Sequence, residues 1–444
     1  MSRNRFAAII LAAGEGTRMH SKKPKVLHEV AGRAMIAHVL DAVGALDPAE
    51  TIVVLAPGMD AVAKAVAPAT VAIQVEARGT GHAVQAAETA LTAAVDTVLV
   101  LFGDTPLVCA ETLERLLAAR KGGAAVVIAG MRPADPSPYG RLVEDGEGIA
   151  RIVEAKDATP EEFAIDLCNG GIMAIDARRA FDLVGRIGCD NAKAEYYLTD
   201  IVALARADGL RCTVVEMPAE DVLGVNTRAE LAAAEAIMQQ RLRARAMANG
   251  ATLIAPETVF LSADTVLGRD VIVEPNVVFG AGVSVGDDAL IRSFSHLDRA
   301  TIGTGAIVGP FARLRPGAIL EEDVHVGNFV EVKATRIRAG AKANHLAYLG
   351  DSDIGARTNI GAGTITCNYD GFNKHRTMIG AGTFIGSNAT LVAPISVGDG
   401  AFVAAGSIVT RDVPADALTI GRGSQVDKPG RAVELRAKLK GSGR

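Results

Sequence analysis

The 444-residue sequence predicts three parts in one chain: a Rossmann-like α/β domain, a linker helix, and a parallel β-helix of hexapeptide repeats. Three observations carry this. Short apolar runs alternate with amphipathic stretches over residues 5 to 226. An Ala-, Leu-, Glu- and Arg-rich stretch follows over 227–250. From Leu267 onward a hydrophobic residue returns every six positions, a period that one face of an α-helix cannot collect.

The first domain is assigned to 1–226. "FAAIILAAG", "TIVVLAP", "VAIQVE", "TVLVLFGD", "AAVVIAGM" and "GGIMAID" read as strands. "PKVLHEVAGRAMIAHVLDAVGAL", "GHAVQAAETALTAA" and "AETLERLLAARK" read as helix-bearing segments. Such alternation predicts a largely parallel sheet with ligands at the carboxyl ends of its strands. In the linker, Thr227 followed by Glu230 is a capping-box signature, and Asn249-Gly250 is a helix stop.

The β-helix is assigned to 251–425. Leu267, Val273, Phe279, Val285 and Ile291 are six apart, and Gly268, Gly280 and Gly286 follow three of them. After a phase slip the series resumes from Ile302 to Val332, at Ile354 and Ile360, and from Ile379 to Val409. A short strand and a turn per hexad turn each apolar residue inward, with glycines at the corners. About nine coils of three hexads, stacked at ~4.8 Å, make a prism roughly 45 Å long. Residues 338–353 and 367–378 break the rhythm and read as loop insertions, where function or an interface is expected. The basic tail, 426–444, is expected to be loosely ordered.

Composition narrows the class. The 49% hydrophobic content with 4% aromatics and no Trp suits parallel sheets and repeats of small side chains. A net charge of −5 argues against general nucleic-acid binding. The five cysteines are scattered without a CxxC pair, which supports neither a disulfide framework nor a zinc site. "FAAIILAAG" is too short to span a bilayer and no cleavable leader precedes it, so a cytoplasmic protein is expected.

"LAAGEGTRMHSKKPKVL" follows the first strand. Gly14 and Gly16 would let the backbone approach a phosphate, Arg18 and Lys25 would supply charge, and a following helix would offer unpaired N–H groups. Two glycines can equally mark only a tight turn. Asp104 in "LFGDTP" can hold a divalent cation beside a triphosphate, or merely cap a turn. "ARGTGHA" is a second glycine-rich strand end, suited to a flat base.

"LAAGEGTRM…PKVL", "GTGHA", "FGD", "YGR", "IVEAKDAT", "EYYLTD" and "GVN" stand in the order found in sugar-1-phosphate nucleotidyltransferases. With its second half, the chain resembles the bacterial bifunctional N-acetylglucosamine-1-phosphate uridylyltransferase/glucosamine-1-phosphate acetyltransferases over nearly all of 5–425. That resemblance implies a left-handed β-helix and an order of events: acetylation in the C-terminal domain, then uridylyl transfer from UTP in the N-terminal domain. It implies that Leu11, Ala12 and Gly14 line the nucleotide site. Arg18 and Lys25 would neutralise the phosphates. Gln74, Gly79 and Thr80 would hold uracil, and Gly140, Glu154 and Asn169 the sugar. Asp104 and Asn226 would hold Mg²⁺. Gly170 and Ala194 depart from the family's usual Thr and Gly, and Gly170 is expected to loosen the sugar pocket.

In the second domain, "HLAYLGD" resembles the family's acetyltransfer motif. His345 would be the general base, since imidazole titrates near neutrality, and Glu331 would orient it. Arg315 and Lys333 would hold the phosphate of glucosamine 1-phosphate, with Tyr348, Asn359 and Lys374 completing the sugar site. Ala362, Asn368, Tyr369, Ser387, Ala405 and Arg422 would line the acetyl-CoA path. Ala347 replaces the usual Ser or Thr. The resemblance also implies a homotrimer. Two other readings compete: a monofunctional nucleotidyltransferase whose repeats only regulate or oligomerise, and a non-catalytic sugar-nucleotide binder. Arg315, Lys333 and His345 oppose the first; Lys25, Asp104 and Asn226 oppose the second.

Overall fold

The computed structural model describes residues 5–191 and 194–441. Residues 1–4, 192–193 and 442–444, which belong to the expected first domain and to the tail, lie outside them. The chain divides into two compact units, Met1–Leu242 and Arg243–Arg444.

Unit 1 is built on a nine-stranded sheet. Its strands are β1 (Phe6–Leu11), β2 (Glu50–Leu55), β3 (Thr70–Ile73), β4 (Thr97–Phe102), β5 (Val126–Met131), β6 (Arg141–Glu144), β7 (Ile149–Val153), β8 (Cys168–Asp176) and β9 (Cys212–Glu216). The main order is β9-β5-β8-β4-β1-β2-β3, with β6 joined to β8 and β7. β1 pairs in parallel with β2 and β4, and β5 with β9. β8 runs antiparallel between β4 and β5, which strand–helix alternation did not reveal. All six residues of β1 are buried because both faces of the sheet are covered. Ala8 and Ile10 enter one core, and Ile9 and Leu11 the other.

No α-helix follows β1 directly. 3-10 turns at Thr17–Met19 and Lys25–Leu27 and a short hairpin of Glu29–Val30 with Arg33–Ala34 intervene before the helix Met35–Gly44. The helix dipole expected behind the glycine loop is therefore not built there. The helix Arg228–Ala248 forms with its capping box: Thr227 N donates to Glu230 Oε2 at 2.7 Å, and Glu230 N to Thr227 Oγ1 at 3.2 Å. Gly250 ends the segment at φ 101°, a conformation that favours glycine. The boundary between the units falls inside this helix.

Unit 2 is a parallel β-helix whose two- to four-residue strands stack into sheets of ten, eight and eight. Val273, Ile291, Val308 and Val326 succeed one another along one wall, all inward and buried. The glycines after the apolar residues have a different cause from the one expected. At Gly286 a Cβ would stand 2.8 Å from the Thr304 amide nitrogen, so close stacking of coils excludes a side chain. Left-handed corners are taken by other glycines, such as Gly282, Gly305 and Gly382, and also by residues such as Asp288, Phe294 and Asn388.

Residues 338–353 are no insertion. They form a coil with strands Lys342–His345 and Tyr348–Gly350, in which Ala343 follows Val326 and Leu349 follows Val332. The rhythm looked broken because an alanine takes an inward position and the coil is slightly shorter. Of residues 367–378, those between the strand ends Cys367 and Thr377 leave the prism, with Phe372 91% exposed, while Cys367, Thr377 and Met378 stay paired in its sheets. The tail is helical over Arg431–Gly441, with residues 431–440 exposed, as its Ala, Leu, Lys and Arg content favours. No helix among the described residues is long and apolar enough to cross a membrane.

Candidate active sites

In unit 1 a cleft of about 900 Å³ opens at the carboxyl ends of β1 and β4. Leu11, Ala12, Gly14, Arg18, Lys25, Gln74, Gly79, Thr80, Asp104, Glu154 and Asn169 all line it. Gly140 and Asn226 do not, but each touches a residue that does. Asn169 N donates to the Gly140 carbonyl at 2.8 Å. Asn226 Oδ1 accepts from Lys25 Nζ at 3.1 Å.

Lys25 is the centre of the site. Its ammonium pairs with Asp104 Oδ2 and reaches Asn226 Oδ1 as well, with the Lys25 and Asp104 side chains only 12% and 17% exposed. Val225 N donates to the Asp104 carbonyl at 2.9 Å, which holds the two oxygen donors near each other. Two hard oxygen ligands converging on one cation form a donor set suited to Mg²⁺ or a similar ion. Gly16 makes room for this lysine: it sits at φ 65°, and a Cβ there would be 2.5 Å from Lys25 Cβ. Gly14 has open space where its Cβ would be, which suits close approach of a ligand.

The other end of the cleft is braced by "EYYLTD". Thr80 Oγ1 accepts from Leu198 N at 2.9 Å, and Glu154 Oε1 from Thr199 Oγ1 at 3.4 Å. Asn169 Oδ1 closes a turn on Gly171 N at 2.9 Å. Gly170 faces away from the cleft: a Cβ would meet the Ala129 carbonyl oxygen at 2.9 Å and Val222 at 3.0 Å. The expected loosening of the pocket is therefore corrected, because Val222 fills the space. Ala194 sits at φ 54°, where a glycine would be unstrained.

In unit 2, His345 ends its strand and is exposed. Its Nδ1 meets Asn328 Oδ1 at 3.0 Å. Within this chain Glu331 does not contact the ring; it is held by Arg315 at 2.8 Å and Arg313 at 3.4 Å. Register sets them apart, for Asn328 pairs with His345 on one wall and Glu331 with Tyr348 on the next. A carboxamide oxygen only accepts, so Nδ1 carries the hydrogen and Nε2 is left as an acceptor.

Arg315, Lys333, Tyr348 and Asn368 are gathered on one wall. Lys333 Nζ lies 3.6 Å from Asp351 Oδ2, and Asn368 Nδ2 donates to Tyr348 Oη at 3.4 Å and to Asp351. The hydrogen bond to Glu331 holds the Arg315 guanidinium above its ordinary pKa. The two expected phosphate cations are thus paired with carboxylates. Asn359 lies on another wall, between Lys342 and Phe384, and Lys374 rests over the Tyr369 ring at 4.5 Å in the 367–378 loop. Neither contacts Tyr348 among the described residues. Ala347 is buried at 4% exposure.

Of the residues expected on the acetyl-CoA path, Ala362, Ser387 and Ala405 follow one edge of the prism from His345, whereas Asn368 lies on the Tyr348 wall and Tyr369 in the loop beside Lys374. Gly363 N donates to the His345 carbonyl at 3.4 Å, Asn388 N to Ala362 at 2.7 Å and Gly406 N to Ser387 at 2.8 Å. Arg422 Nη1 donates to the Ala405 carbonyl at 2.7 Å.

Comparison with known proteins decides what these sites belong to. Residues 8–153 match a MobA-like NTP transferase domain. Residues 264–299 match the bacterial transferase hexapeptide, and 376–411 a hexapeptide repeat of succinyl-transferase. The chain is 57% identical over 441 residues to the bifunctional protein GlmU of Azorhizobium caulinodans, covering 98% of each chain. It is 56% identical over 440 residues to that of Paramagnetospirillum magneticum, covering 99% of this chain and 98% of the relative. It is 58% identical over 441 residues to that of Xanthobacter autotrophicus, again covering 98% of each.

The chain belongs to the GlmU family of bifunctional proteins. It is a two-activity enzyme, with a uridylyltransferase domain and a left-handed hexapeptide-repeat acetyltransferase domain. The GlmU frame also shows what the sequence reading missed. Asn328 opens "NFVEVKAT", the segment that also holds Glu331, where an asparagine signals nothing by itself. Lys156, Asp157, Glu195 and Tyr197 line the cleft from "IVEAKDAT" and "EYYLTD", motifs quoted for resemblance but given no role. Burial, with Glu195 and Glu154 nearby, raises the Tyr197 phenol. Arg228 donates from the linker helix to the Met19 carbonyl at 3.2 Å, bracing the glycine loop of this GlmU-family enzyme.

Proposed function

We propose that the two activities divide as follows. In unit 2 the amine of glucosamine 1-phosphate attacks the thioester carbonyl of acetyl-CoA. His345 Nε2 takes the amine proton, an N–C bond forms, the C–S bond breaks, and the sulfur leaves as the protonated thiol. In unit 1 a phosphate oxygen of N-acetylglucosamine 1-phosphate attacks the α-phosphorus of UTP and pyrophosphate leaves. The nucleophile is already an anion, so positioning and charge neutralisation carry the rate. Arg18 and Lys25 supply that charge. Gln74, Gly79 and Thr80 receive the base; Gly140, Glu154 and Asn169 receive the sugar. Mg²⁺ held by Asp104 and Asn226 would offset charge on the triphosphate.

The observation that carries this reading is the meeting of Lys25, Asp104 and Asn226 at one point of a cleft large enough for a nucleotide and a sugar. The test is a coupled assay with glucosamine 1-phosphate, acetyl-CoA and UTP. Thiol release followed by pyrophosphate release supports it; pyrophosphate release without thiol release leaves only a monofunctional transferase.

Asn328 is a positioning residue for His345. Asn328→Ala is expected to lower kcat for acetyl transfer about tenfold, the worth of one lost hydrogen bond, with the KM for acetyl-CoA little changed. Asn328→Asp keeps an acceptor and should restore most of the rate. A wild-type kcat in Asn328→Ala would remove the role.

The working form is a homotrimer in the cytoplasm. Phe294, Phe311 and Phe329 stack along the His345 edge with ring centroids 4.9 and 5.2 Å apart, yet are 53%, 45% and 55% exposed. Leu346 continues the ridge. An apolar ladder of this size supports burial against a second copy, and neighbouring copies would supply the walls that one chain leaves apart. Phe311→Asp is expected to convert trimer to monomer in light scattering and to lower acetyl transfer. A trimer of unchanged stability would rule the ladder out as the contact.

A further inference from the structure

Gln74 follows β3 and is 6% exposed, with its side chain on the cleft. Its Nε2 donates to the Gly79 carbonyl at 3.0 Å and contacts His82 Nδ1 at 3.2 Å. A carbonyl oxygen only accepts, so Gly79 fixes which end of the carboxamide is nitrogen. The –NH₂ group has two hydrogens, and both are then engaged. His82 accepts on Nδ1 and so carries its own hydrogen on Nε2. Oε1 has no partner among the described residues, and an acceptor is all that the carboxamide has left to offer.

We propose that His82 is a specificity-determining positioning residue, which takes the second Gln74 hydrogen and thereby holds Oε1 ready for a base that presents a ring N–H. Uracil presents a donor at N3; cytosine presents a lone pair there. Against cytosine the fixed Oε1 meets acceptor with acceptor. Turning the amide to offer Nε2 would instead set Oε1 against the Gly79 carbonyl and would require the His82 ring to move its hydrogen from Nε2 to Nδ1. A site built around one hydrogen-bond polarity rejects the opposite one strongly. Without His82 the turn costs the Gly79 contact alone, with no change of tautomer. This inference rests on the reading that Gln74 meets the base.

The test uses the full chain and the ratio of kcat/KM for UTP to that for CTP, read as pyrophosphate release with N-acetylglucosamine 1-phosphate. His82→Leu is expected to lower the ratio about tenfold, as one hydrogen bond's worth of discrimination is lost. His82→Asn, whose Oδ1 can accept, is expected to restore it. Acetyl transfer should be unchanged in both. If His82→Leu does not fold, His82→Phe fills the space without an acceptor and is read in the same way. An unaltered ratio, or equal loss of UTP and CTP use, overturns the role of His82. A wild-type enzyme that uses CTP as well as UTP overturns the base reading itself.

Discussion

His345→Ala lowers acetyl transfer by about 10²- to 10⁴-fold, the range a general base contributes, and leaves uridylyl transfer at the wild-type rate. Three features set this expectation. The ring is exposed at the end of a strand, so its loss leaves no hole in the prism core. Nδ1 is engaged by Asn328, which leaves Nε2 as the acceptor for an amine proton. Glu331 cannot substitute as base without giving up Arg313 and Arg315. The two activities should separate because the residues assigned to each lie in different units, Met1–Leu242 and Arg243–Arg444. Thiol release and pyrophosphate release, measured on one preparation, check it. Equal loss of both would contradict independent sites.

The sequence made some of this legible and hid the rest for physical reasons. Strands buried on both faces announce themselves as unbroken apolar runs, so β1, β2 and β4 could be read directly. Hexads announce a prism because an apolar residue returns at most inward positions, with small polar ones such as Thr366 as the exceptions. The same rule misled at 338–353, where Ala343 occupies an inward position and a regular coil looked like a loop. Side-chain pairings between coils were the least visible. Glu331 is nearer to His345 in sequence than Asn328 is, yet the wall on which each residue lies is set by register, so Asn328 is the partner. In unit 1 the charged residues were legible as types, but the fork of Lys25 between Asp104 and Asn226 joins three distant segments. Gly16 was legible as a glycine, while its reason, the Lys25 side chain against it, appears only in three dimensions.

Asp104→Asn is expected to lower uridylyl transfer on the order of 10³-fold, with acetyl transfer unchanged. Asparagine keeps the shape and one oxygen of aspartate, so the substitution tests charge rather than packing. In the free enzyme Asp104 is the anion that holds the Lys25 ammonium in a largely enclosed site. Asp104 and Asn226 would hold a divalent cation, and the ammonium of Lys25 would then be available to phosphate oxygens. Removing the Asp104 charge weakens both arrangements at once. A neutral oxygen binds a hard cation far less well, and Lys25 loses its resting counter-ion. The activity lost should therefore be partly recovered at high Mg²⁺, with the Mg²⁺ titration of pyrophosphate release displaced to higher concentration. Lys25→Gln should instead lose rate without that displacement, because it removes a phosphate contact and leaves the oxygen donors intact. Wild-type Mg²⁺ dependence in Asp104→Asn would show that the cation is held elsewhere, and Asp104 would then be only the counter-ion of Lys25.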